Sequence, residues 1–160
     1  MGLYFFYTRR YDEAVNHFRR MQDLFPDFYP TNLYLGWTYL QKGSYPEAVE
    51  QFQKALSLSN GHSMVLAMLG YTYAVSGRRQ DAEEVLNKLN ALKATQNVAP
   101  YRFAVVYMGL GDRERALEWL NRAYDERDIL LMHLNVTPFF DPLRQEPGFQ
   151  DLLRRMGLAA

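Results

Sequence analysis

The side chains that could do acid–base or metal chemistry are few and poorly spaced for it. His17, His62 and His133 stand far apart in the chain, and none sits in a His-Glu-x-x-His pattern that would bring two imidazoles to one helix face. The doublets Glu83-Glu84 and Asp125-Glu126 are sequence neighbours, so their carboxylates diverge on a helix and read as solvated faces. Gly109-Leu110-Gly111 begins like a phosphate-cradling loop, but it follows a helical pattern and lacks the third glycine; it reads as a helix stop. No serine lies in a Gly-x-Ser-x-Gly elbow. With Cys 0, neither a thiolate metal site nor a disulfide framework can form. The expectation is no catalytic residue, no metal site and no cofactor.

Charge excludes a second class of function. Lys and Arg total 18 and Asp and Glu total 18, so the formal charge cancels. The arginine pairs at 9–10, 19–20, 78–79 and 154–155 each lie near acids such as Asp12, Asp23, Asp81 and Asp151. A phosphate backbone needs an unbroken basic stripe that releases counterions, so no nucleic-acid partner is expected. Apolar runs such as Ile129–Met132 fall far short of the ~20 residues that span a bilayer. The start, Met1–Phe6, has no basic segment and no cleavage site, so neither a signal peptide nor a membrane partner is expected and the chain reads as cytoplasmic. Tyr 12 and Phe 10 in 160 residues then ask for a ring-rich core or a ring-lined surface.

A repeat organises the rings. Leu35-Gly36-x-x-Tyr39 is followed by Gly43, Ala48, Phe52 and Ala55, and 34 residues later by Leu69-Gly70-x-x-Tyr73, Gly77, Ala82, Leu86 and Leu89. A further 34 residues give Phe103-Ala104-x-x-Tyr107, Gly111, Ala116, Leu120 and Ala123. One step backwards gives Met1-Gly2-x-x-Phe5, Ala14, Phe18 and Met21, so the first copy begins inside its first helix and reads either as cut from a longer parent or as a shortened start. The small residue lets a neighbouring helix approach closely, and the later glycine closes the first helix in a left-handed C′ conformation. Acids such as Glu47 and Glu114 then open the second helix at the positive end of its dipole. One such hairpin leaves an apolar face bare, and stacking the next one covers it.

The large–small–aromatic and Ala-Phe-Ala positions resemble the tetratricopeptide repeat over about residues 1–128. The chain departs from that family at its early tryptophan, replaced by Asn32, Leu66 and Pro100, and keeps the closing proline only at Pro26. The resemblance implies an all-α, right-handed α-solenoid of about four helical hairpins plus a C-terminal capping helix. Its expected units are 1–28, 29–62, 63–96, 97–128 and a tail of 129–160. It further implies that the first helices line a concave groove. The expected groove residues are Leu3, Phe6, Tyr7, Leu33, Tyr34, Trp37, Gln41, Met64, Met68, Tyr71, Val75, Tyr101, Arg102 and Val105. Only Arg102 among them could clamp a carboxylate, so the surface suits an amphipathic helix or extended apolar segment.

The period stops at Asp128. Ile129–Leu134 reads as a short helix ended by Pro138, Phe139–Arg144 as a turn-like link, and Pro147 as the first residue of a last helix. That helix carries Phe149, Leu152, Leu153 and Met156 as one apolar stripe, and suits a solenoid cap. The tail is also similar to the endings of repeat regions in bacterial signalling proteins. The sequence therefore points to a non-catalytic protein-binding scaffold. The alternative is an assembly module whose groove is covered by the tail, by other domains of its parent or by a second copy in a homodimer.

Overall fold

The computed structural model describes residues 1–158; residues 159 and 160, the end of the expected capping segment, lie outside the described residues. Each copy of the repeat folds as two antiparallel helices. The pairs are α1 (Gly2–Tyr7) with α2 (Tyr11–Leu24), α3 (Tyr29–Gln41) with α4 (Tyr45–Leu58), α5 (Ser63–Val75) with α6 (Arg79–Leu92), and α7 (Tyr101–Gly109) with α8 (Arg113–Asp125). Consecutive helices pack on one another throughout, and α5 also lies against α7 across the boundary between hairpins. The architecture is an α-solenoid.

The small residues sit where two helices nearly touch. A Cβ placed on Gly36 would lie 2.6 Å from the Phe52 ring, and one on Gly70 would lie 2.7 Å from Val85 Cγ1 and 3.1 Å from Val106 Cγ2. Neither neighbour can move without opening the core, because Phe52 and Val106 are wholly buried. The turn between the helices of a hairpin needs a left-handed residue. Gly43, Gly77 and Gly111 supply it at φ 75, 84 and 76°, and in the first hairpin Arg9 holds the same place at φ 61°. Acids occupy the first turns of α2, α4, α6 and α8, and Asp112 accepts a hydrogen bond from the Arg115 amide at 3.1 Å.

The tail differs from its sequence reading. In place of one short helix and a link there are two 3₁₀ turns, Ile129–His133 and Pro138–Leu143, and Pro138 opens the second instead of closing the first. Pro142, inside the second turn, lacks the amide hydrogen that an α-helix would require there, so that turn closes with short-range bonds such as Arg144 N to Asp141 O at 3.2 Å. The last helix, α9 (Pro147–Arg155), does begin at its proline. It packs its buried Phe149, Leu152 and Leu153 toward α8 and ends at Gly157, φ 70°.

Candidate interaction surface

The first helices place Phe6 on α1, Trp37 on α3, Tyr71 on α5 and Tyr101 on α7, one ring from each hairpin. The second 3₁₀ turn of the tail lies among them. The Phe139 ring centre is 6.3 Å from that of Phe6, 5.8 Å from Trp37 and 5.3 Å from Tyr71, and Phe140 meets Tyr101 edge-on at 5.5 Å. Beside them Tyr7 stacks on His133 at 5.8 Å. These offset and edge-on contacts are the favoured aromatic geometries. Phe139, Phe140 and Leu143 are buried, as are Leu131 and Leu134 from the preceding turn.

The expected groove is therefore filled by the chain itself. None of the residues expected to line it is exposed: Phe6, Leu33, Met64, Met68, Tyr101 and Val105 are buried, and Leu3, Tyr7, Tyr34, Trp37, Gln41, Tyr71, Val75 and Arg102 are half-buried. Phe6, Tyr7, Trp37, Met64 and Tyr101 do come together, around a cavity of about 30 Å³ closed by Leu130, His133, Thr137 and Phe139. Such a space suits one water molecule. Trp37 Nε1–H is buried beside it with no protein acceptor. The sequence reading missed Phe139 and Phe140, whose signal was an aromatic pair between two prolines just past the last repeat.

Electrostatics leave the trough with little acid–base capacity. Burial pushes the Tyr71 phenol up to about 12, with Tyr45 and Asp141 adding to the shift. Burial raises Tyr101 further still, against a hydrogen bond with Thr137. Both stay protonated at neutral pH. Arg102 does not reach out as a clamp; its guanidinium donates to Asp128 at 3.1 Å, and both side chains are largely buried. His62 is lowered by burial and by the nearby Arg102 charge, and its Nδ1 accepts from the Met64 amide at 3.3 Å, capping α5. At the rim, Asp141 accepts from Arg9 and from Arg144, each at 2.7 Å. Burial alone would raise the Asp141 pKa, but these two arginines outweigh it and hold the carboxyl below its usual value. Among the described residues no cluster of His, Asp and Glu could hold a metal ion, and no helix is long and apolar enough to cross a membrane.

Comparison with family models matches this geometry of stacked hairpins. Tetratricopeptide-repeat models match residues 1–63, 39–99 and 101–127. The chain belongs to the tetratricopeptide-repeat family. Tetratricopeptide repeats are generally protein–protein interaction modules and typically non-enzymatic scaffolds. The matches stop before the plugging tail, whose expected likeness to bacterial signalling proteins finds no support in them. A search of curated proteins gives no match.

Proposed function

We propose that this tetratricopeptide-repeat chain is a non-catalytic interaction scaffold whose concave trough seats an extended, aromatic-led segment, and that its own tail holds that seat. The observation that carries the reading is Phe139 wedged among Phe6, Trp37 and Tyr71, from three successive first helices. Burying each of Phe139 and Phe140 stabilises the docked tail by roughly 1.5–3 kcal/mol. A partner that needs the trough must offset that first, so partners meet the outer surface while the tail is docked. A homodimer is not required to hide the rings, because the tail already does so.

The test is occupancy in trans. A fluorescent peptide covering residues 136–146 should bind the Phe139→Ala/Phe140→Ala variant, whose seat is vacated, and not the parent chain. Adding Trp37→Ala to that variant should remove the binding. Equal binding to parent and variant, or none to a variant that keeps its helical circular dichroism, would show that the trough is plain core.

A further inference from the structure

We infer that the edge formed by the C-terminal ends of α4, α6 and α8 is a docking surface for an acidic, amphipathic segment of another protein. The inference rests on the scaffold reading but not on the trough, since the hollows it concerns share no lining residue with the trough cavity. Two open hollows lie along this edge. The first, about 440 Å³, is walled by Leu56, Leu66 and Leu92 with Lys88 at its side. The second, about 370 Å³, is the same place 34 residues on, where Trp119 and Lys93 stand beside Arg122, which is paired with Glu126 of the same lining. Just beyond, Ile129 and Met132 are 76% and 61% exposed, so the apolar track continues past α8. Between α2 and α4, Gln22 donates to Asn32 and Gln51.

The charge of the edge names the partner. Among the described residues Arg19, Arg20, Lys54, Lys88, Lys93 and Arg127 have no carboxylate partner, while each other Lys and Arg has one. All of these unpaired cations lie in the second half of a second helix or in the turn directly after it. Arg20, Lys54, Lys88 and Arg122 recur at one register of the repeat, and all four are exposed. The stretches 51–80 and 85–101, which supply the first hollow, contain no Asp or Glu, although the chain as a whole is neutral. A cation near a helix C-terminus offsets the helix dipole, which accounts for Lys54 or Lys88 taken singly. It does not account for the missing acids or for the half-buried Leu56 and Leu92 facing an open hollow. Carboxylates meeting these lysines and apolar anchors filling successive hollows would satisfy both. The hollows are separate concave seats at repeat spacing, which fit side-chain anchors better than the flat face of a bilayer.

The probe is a displayed library of random 16-residue peptides, selected on the full chain, with the enriched sequences resynthesised for fluorescence polarisation. Enriched peptides should be net acidic with spaced apolar residues, weaken as salt rises, and lose at least tenfold in affinity for Lys54→Glu/Lys88→Glu. Arg79→Ala, at the other end of α6, should leave affinity unchanged. Both lysines are exposed, so the variant should keep its fold, and circular dichroism checks this. The inference is overturned if no acidic peptide is enriched, if charge reversal leaves binding unchanged, or if phosphatidylserine vesicles capture the chain through these lysines while peptides do not. A peptide lost on Trp37→Ala but insensitive to the lysines would overturn it too and leave the trough as the binding face.

Discussion

The Arg9 guanidinium donates to the Asp141 carboxylate at 2.7 Å, joining the first hairpin's turn to the tail that leaves the last hairpin, 132 positions along the chain. Arg9 stands where the other hairpins use glycine and holds φ 61°, a strain of about 1 kcal/mol for a residue with a Cβ. Its side chain is more than half exposed, so the ion pair is worth under about 1 kcal/mol. The two effects nearly cancel. Arg9→Gly should melt within a few degrees of the parent, whereas Arg9→Ala, which keeps the strain and drops the pair, should melt lower than Arg9→Gly. Calorimetry on the three chains measures both differences.

The same carboxylate sets an acid dependence. A folded-state pKa held below the unfolded value means that Asp141 contributes stability above the unfolded carboxylate pKa, about 3.9, and loses it as pH falls through the folded value. Urea midpoints between pH 6 and pH 3 should therefore drop more for the parent than for Asp141→Asn. If the two chains lose equal stability, Asp141 is not paired in solution as it is in the structure.

The hairpins were legible because their cause is local and periodic. Gly36 and Gly70 announce close helix approaches wherever they recur at one spacing, and Gly43, Gly77 and Gly111 announce the turns. The occupant of the trough was not legible in the same way. Phe139 and Phe140 follow no period, two prolines disguise the segment as a link, and their partners Phe6, Trp37, Tyr71 and Tyr101 are scattered over the whole chain. Arg102 likewise looked like a lone cation, because its partner Asp128 lies 26 positions away. A list of groove positions carries no information about what fills the groove.

The close approach at Gly70 should be measurable as a coupling. Gly70→Leu forces a side chain against Val85 and Val106 and should cost about 1–3 kcal/mol. Val85→Ala alone also destabilises, by leaving a cavity, but the space it opens lies where the new side chain would go. The double variant should therefore be more stable than the sum of the two changes implies, which a double-mutant cycle in urea would show.

The tail also changes how the array should unfold. A solenoid without long-range contacts behaves as a chain of neighbours, and its ends can melt before its middle. Here one short turn touches a first helix from every hairpin, so losing any hairpin weakens the seat that the others share. Trp37 in the second hairpin and Trp119 in the fourth report on separate parts of the stack, and each can be isolated by replacing the other with phenylalanine. With the tail intact, each single-tryptophan chain should give a urea transition by fluorescence that coincides with its own transition by circular dichroism. Phe139→Ala should cost about 3–5 kcal/mol and draw the Trp37 and Trp119 transitions apart. The separation arises because Trp37 faces the vacated seat directly, whereas Trp119 stacks on Phe103 at 4.3 Å within its own hairpin. Coincident transitions in that variant would mean that neighbour packing alone makes the array cooperative.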